Sequence, residues 1–302
     1  MTAKFNPTST RTGGGRLWVI VALVLFCVGE WFMPQVIGPI STPLMKGWKA
    51  LGLPFGPYVP GMVGPAGLIA GTFTATMIAL VLTAIAAVVA GRSFTDFRIL
   101  PLRPGKAGEG FLTGFAMVAA LILALAALGT MKIAPSGQSP GSSVCYLLVW
   151  LVGMGFVGAA EELFCRGAVL SLLSELTNPW VACVLTSVGF GLQHLGNTGE
   201  TFTGIAMTMG FGFVAALGVI RTGSIWWAIA MHAGWDWALE NVFGAIGSGL
   251  RFQGSFLVST GLKPDWLTGG SAGPEGSALV WVVLGVVAFY LAFIRKPARQ
   301  AA

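Results

Sequence analysis

Charge is scarce in this chain: 9% of its 302 residues are Asp, Glu, Lys or Arg, against 55% hydrophobic. A soluble domain carries about 25% charged residues, because unpaired charge is costly to bury and polar groups must cover the surface. That shortfall excludes a soluble protein and overrides the one or two domains that length alone suggests. Mean hydropathy is correspondingly high, +0.81. Cysteine is also sparse. Cys27, Cys145, Cys165 and Cys183 fall in or beside apolar runs with no C-x-x-C spacing, so neither a disulfide frame nor a zinc knuckle is expected. The first apolar run lacks an A-x-A-like cleavage site and is read as a retained helix, not a signal peptide. No internal repeat and no second domain are evident, and residues 1–302 form one membrane domain in this reading.

What the chain has instead is long apolar runs. A spanning helix needs about 20 mainly apolar residues. Eight candidates appear, at 17–37, 66–90, 111–128, 144–176, 179–196, 202–220, 225–243 and 278–294. The fold class is therefore all-α, a polytopic bundle of about eight transmembrane helices. The segments 135–143 and 269–276, rich in Gly, Pro and Ser, read as turns. Run 144–176 is too long for one straight crossing: at 1.5 Å per residue it reaches about 50 Å, against a core of about 30 Å. An interfacial start or a strong tilt is expected, with a span over about 148–175.

The net charge of +6 follows the loops, where basic residues meet phospholipid headgroups. Nucleic acid is not an expected partner; the bilayer is. With the N-terminus inside, twelve of the 17 Lys and Arg, among them Lys4, Arg11, Arg16, Arg166, Lys296 and Arg299, lie on or toward the cytoplasmic side. Lys46, Lys49, Lys132, Arg251 and Lys263 lie outside. The positive-inside rule thus places both termini in the cytoplasm of a multi-pass cell-membrane protein.

Ionisable groups within spans are costly and mark function by default. Both histidines, His194 and His232, fall in spans, as do Glu161, Glu162 and Asp236. Glu162 and Arg166 stand four residues apart on one helix face, as do Phe190 and His194, and His232 and Asp236. A single membrane histidine is commonly a helix–helix hydrogen-bonding group. Two adjacent carboxylates, one of them about 100° off the Arg166 face, have no such packing rationale. Glu30 reads as snorkelling or lining a cavity, Glu240 as lying near the outer interface, and the tryptophans, including Trp31, Trp226 and Trp227, mostly as interface anchors. Small residues over 204–218 suggest close helix packing.

Three motifs follow in order: Glu161-Glu162-Leu163-Phe164-Cys165-Arg166 as E-E-x-x-x-R, Phe190 to His194 as F-x-x-x-H, and His232 to Asp236 as H-x-x-x-D. Together they resemble the CPBP family of intramembrane proteases, which includes the type II CAAX prenyl endopeptidases and the Abi-type proteins linked to bacteriocin processing and immunity. The resemblance covers about 144–243. It implies an endopeptidase acting on a membrane-embedded or lipid-anchored peptide, CAAX-type or bacteriocin-processing-like. Glu161 would activate water, His194 would hold that water, and His232 would donate to the oxyanion, oriented by Asp236. Glu162 would be fixed by Arg166. Asp236 stands where the family has Asn or Asp, and an ionised Asp cannot itself donate to an oxyanion.

Rival chemistries use the same residues. Glu161, His194 and His232 match a His₂Glu zinc set, so a zinc-dependent metalloprotease stays open, although H-E-x-x-H is absent. No other cofactor is expected. A serine nucleophile is disfavoured because Gly247-Ser248-Gly249 lies in an outer loop without a local histidine, and Cys165 lacks a base on its own helix. A proton-coupled transporter would prefer broken helices in two related halves, whereas the polar groups here cluster in the second half. A non-catalytic immunity or scaffold protein on the same fold is the remaining alternative.

Overall fold

The computed structural model of the chain describes residues 15–50, 59–197 and 199–295. Lys4, Arg11, Lys296 and Arg299 lie outside the described residues. Helix α1 (Arg16–Ala50) continues well past the expected end near residue 37, through Pro34, Pro39 and Pro43. Chain at membrane depth must keep its backbone hydrogen-bonded, which favours continuing a helix over opening a loop. α2 (Pro65–Ala90) starts with proline at its first turn and stops at Gly91, whose φ of 63° a residue without Cβ adopts freely. α3 (Pro104–Ala127) follows.

The long run is a helix broken by a wide turn. α4 (Pro140–Glu162) widens into a π-helical turn over Leu163–Val169 and resumes as α5 (Leu170–Leu176). The break is at Gly167, whose ψ of −108° is not helical. α6 (Pro179–Gln193) is capped by Asn178, which accepts from the amides of Trp180 and Val181, so Asn-Pro opens this helix as well as closing the previous one. α7 (Phe202–Thr222) is capped by Thr201, and α8 (Ile225–Asp236) widens into a second π-helical turn over Trp237–Val242. A short α9 (Asp265–Thr268) precedes α10 (Val280–Phe289), which ends in a further wide turn to Ile294.

A helical segment stands at each of the eight expected places among the described residues, in the expected order. Five are long and apolar enough to cross a bilayer on length and composition: Arg16–Ala50, Pro65–Ala90, Pro104–Ala127, Pro140–Leu176 and Phe202–Thr222. α6 has 15 residues, which at 1.5 Å each reach about 22 Å and fall short of a full crossing. Large apolar side chains on the outside, such as Val88, Phe202 and Phe293, are exposed, as lipid-facing positions should be. The structure is a membrane helix bundle.

One small sheet departs from the all-helical expectation. β1 (Met131–Pro135) pairs antiparallel with β2 (Leu257–Gly261) in register from Met131↔Gly261 to Pro135↔Leu257. The strands are far apart in sequence, so no local hairpin signal marked them. They cap one end of the bundle. At the other end, Arg92 Nε donates to Glu175 Oε2 (3.1 Å), Arg16 to the Leu176 carbonyl (3.0 Å), and Arg295 pairs with Glu109. Arg166 does not belong to that basic end: it is wholly buried within the bundle.

α8 sits among α3, α4 and α7, and glycine lets it pack closely. A Cβ on Gly158 of α4 would stand 2.5 Å from the Ile229 carbonyl oxygen and 3.3 Å from His232 Cβ. On α3, a Cβ at Gly110 or Gly114 would run into the Trp227 or Met231 carbonyl. Gly218 on α7 accommodates the ring of Trp227, which is buried with Trp150 and Trp235 and is no interface anchor. The bulk of the apolar core, from Val19 to Leu291, is one continuous cluster.

Candidate active site

α4 and α8 pack side by side, so the end of α4 brings Glu161, Glu162 and Arg166 against the middle of α8. Glu162 and Arg166 have no exposed surface. Arg166 Nη1 lies 3.3 Å from Glu162 Oε1, across the i, i+4 spacing. The same Glu162 oxygen is 2.9 Å from His232 Nδ1. Arg166, Glu162 and His232 thus form a chain in which one carboxylate oxygen meets a guanidinium and an imidazole. This corrects one expectation. Glu162, and not Asp236, holds His232 through Nδ1, because the close approach at Gly158 leaves Glu162 directly beside the ring.

His232 Nε2 faces the remaining two carboxylates, Asp236 Oδ2 at 3.5 Å and Glu161 Oε2 at 3.7 Å. Both separations are too long for a good direct hydrogen bond, and a water can bridge them. Glu161 differs from its neighbour in access: its side chain is 35% exposed, whereas that of Glu162 is fully buried. The two adjacent carboxylates therefore point to different environments, as their offset around the helix requires.

His194 lies at the C-terminal end of α6, where the helix tightens into a 3₁₀ turn over His194–Gly196, and not inside a full span. Its Nδ1 is 2.9 Å from the Phe190 carbonyl oxygen. A proton on Nδ1 donated to that carbonyl leaves Nε2 free to accept. Phe190 is the hub of this half. The Arg166 guanidinium sits 4.3 Å from its ring centroid, and its ring meets His194 at 4.8 Å and His232 at 5.9 Å, both edge-on. Phe211 of α7 closes on His232 at 4.9 Å. Gly212 gives the guanidinium its room, since a Cβ there would lie 2.5 Å from Arg166 Nη2.

His194, His232 and Asp236 line one cavity of about 30 Å³, which admits water. Among the lining residues that the motifs did not include are Glu275 and Ser248. Glu275 accepts from Trp235 Nε1 (2.9 Å) and from Ser248 Oγ (3.0 Å). Ser248 therefore reaches the histidine cavity instead of staying in an outer loop, and Glu240, expected near the interface, is buried. The only signal for Glu275 was a carboxylate in a glycine-rich turn. A larger cavity of about 320 Å³ in the capping loops touches none of the motif residues.

Among the described residues, no group of three or more His, Cys, Asp or Glu side chains converges as a metal site would require. His232 Nδ1 is engaged by Glu162, and its Nε2 stands 3.5 Å from Asp236 Oδ2 and 3.7 Å from Glu161 Oε2.

A polytopic helix bundle with a buried carboxylate–imidazole centre defines the class. Residues 143–238 match the family model described as type II CAAX prenyl endopeptidase Rce1-like, a segment that includes all seven motif residues. Over that segment the chain is similar to type II CAAX prenyl endopeptidases. No curated protein matches the chain.

Proposed function

We propose that the protein is an intramembrane endopeptidase that hydrolyses a peptide bond of a membrane-associated substrate by carboxylate-activated water. The observation that carries this reading is the division of labour between two neighbouring carboxylates. Glu162 is wholly buried with its Oε1 committed to Arg166 and His232, while the Glu161 side chain is 35% exposed and stands outside that chain of contacts, its Oε2 3.7 Å from His232 Nε2. A general base must reach its proton and be free to take it, and Glu161 meets both conditions.

In this reaction Glu161 removes a proton from a water held with His194, and the water oxygen bonds to the substrate carbonyl carbon. His232 Nε2–H donates to the oxyanion, its ring fixed by Glu162 at Nδ1. Collapse breaks the C–N bond, and the proton held by Glu161 passes to the departing nitrogen. Asp236, beside Nε2, favours a charged His232 as the oxyanion forms. Every step uses groups of the chain itself.

The substrate of this site is a membrane-embedded or lipid-anchored peptide, CAAX-type or bacteriocin-processing-like. Mass spectrometry of membranes containing wild-type or Glu161→Ala protein tests the reading. Peptides released only by the wild type are expected; identical peptide profiles would contradict it.

A further inference from the structure

The first helix carries one acidic residue, Glu30, which the reaction above does not use. An ionisable group at membrane depth needs a partner. Val19, Ala22 and Phe26 form the buried stripe of α1, and Phe26 meets Phe164 of the wide turn after α4 with ring centroids 6.0 Å apart. Glu30 stands one turn past Phe26 on that face, half-buried. There its Oε1 accepts from Nε2 of Gln193, the residue next in sequence to His194. The pair is matched in depth: each residue lies about 21 Å along its helix from the basic end of the bundle, at 1.5 Å per residue.

Gln193 also reaches the catalytic side. Its Oε1 lies 3.8 Å from Cys165 Sγ. Cys165 is one turn beyond Glu161 on the same helix face, so Gln193 stands between the exposed side of Glu161 and His194, the two groups assigned to the attacking water. Its surroundings are open. Leu192 and Leu195 are exposed beside it, and a Cβ at Gly189, one turn earlier, would meet nothing within 4 Å. A glutamine amide has two N–H donors and an oxygen that accepts twice. The Glu30 carboxylate takes one N–H and so fixes which end of the amide is nitrogen, while a thiol is only a weak donor to the oxygen. One N–H and the carbonyl oxygen remain for a ligand.

A peptide must leave the helical form before its scissile carbonyl can be attacked, and extended backbone at membrane depth has N–H and C=O groups without partners. Leaving them so is costly. A side-chain amide offers both the donor and the acceptor that such backbone needs.

We propose that Gln193 binds the substrate main chain beside the scissile bond, and that Glu30 of the first helix is the positioning residue that holds its amide for this. The inference rests on the endopeptidase reading and adds to it the group that registers the peptide against Glu161 and His194. Contact with main chain leaves the site tolerant of sequence at the bound residue.

The test uses full-length protein in liposomes with lipid-anchored peptides, a prenylated peptide ending in C-a-a-X among them. Each is also made with an ester in place of the peptide bond on either side of the scissile one, which removes an N–H and weakens a carbonyl acceptor. KM and kcat are measured for wild type, Glu161→Gln, Gln193→Leu, Glu30→Leu and Glu30→Gln. For wild type, the ester at one flanking bond is expected to raise KM about three- to tenfold, the range of a single hydrogen bond, with kcat little changed. Gln193→Leu should raise KM for the parent peptide by a similar factor and remove the difference between peptide and ester. Glu30→Leu should reduce that difference, and Glu30→Gln, whose amide oxygen still accepts from Gln193, should restore it. A purely structural tie between the helices would alter peptide and ester turnover alike. The wild-type comparison needs no variant to fold. Glu161-dependent cleavage with no ester effect in wild type, or with an ester effect undiminished in Gln193→Leu and Glu30→Leu, overturns the proposal and leaves the protease standing. Absence of any Glu161-dependent cleavage overturns both.

Discussion

Arg166 shows how little freedom the site has at the level of single residues. Its guanidinium is wholly buried, pairs with Glu162 at one nitrogen and stacks on Phe190, while Nε and Nη2 have no hydrogen-bond partner among the described residues. Arg166→Ala would leave Glu162 buried beside His232 without its cation. Removing one member of a buried pair costs about 3–5 kcal/mol. Thermal unfolding in detergent should therefore show a markedly destabilised protein, or little folded protein at all; a wild-type melting curve would mean that the pair is dispensable. The Glu162–Arg166 contact was legible in the sequence because i, i+4 spacing on a helix fixes proximity. The partner of His232 Nδ1 was not. Asp236 has the same i, i+4 spacing from His232, but ring orientation is decided by what the neighbouring helix brings, and α4 brings Glu162. Glu275 was missed for a similar reason, since its loop folds back into the bundle through contacts with Trp235 and Ser248 that no local pattern encodes.

Helix–helix distance decides whether those residues meet. Two of the three wide π-helical turns among the described residues begin one residue after a motif carboxylate, at Leu163 after Glu162 and at Trp237 after Asp236, and such turns recur at functional sites. The sequence showed an apolar run too long to cross straight, but the break at Gly167 depends on backbone geometry that hydropathy does not report. The α4–α8 approach at Gly158 gives a direct test. Gly158→Ala places a methyl against the Ile229 carbonyl and His232 Cβ and should push the helices apart, at a cost of about 1–3 kcal/mol for overpacking. Activity is expected to fall at least about tenfold, because misplacing a catalytic group by an ångström costs about that or more. Gly155→Ala, on the same helix with no atom within 4 Å of its Cβ, should retain wild-type turnover and stability. Equal activity of the two variants would show that close packing at Gly158 does not set the site.

For the whole molecule, eight helical segments could be read from hydropathy, and five of them are long and apolar enough to cross a bilayer. The β1–β2 cap could not, because its strands join residues far apart in the chain. Arginine contacts gather at the opposite end of the bundle, where the basic loops lie. A reporter fused after Ala302 should read as cytoplasmic and one inserted within 244–276 as external; the reverse would invert the bundle. The most direct test of the central claim, that Glu161 is the base of a peptide hydrolase, is turnover by purified Glu161→Gln protein in liposomes, on any substrate the wild type cleaves. The amide keeps shape and hydrogen-bonding capacity but cannot take a proton, and a neutral amide is cheaper to bury than a carboxylate. Turnover should fall at least about a hundredfold while thermal stability stays at or above wild type. Wild-type turnover by a folded Glu161→Gln protein would contradict the account.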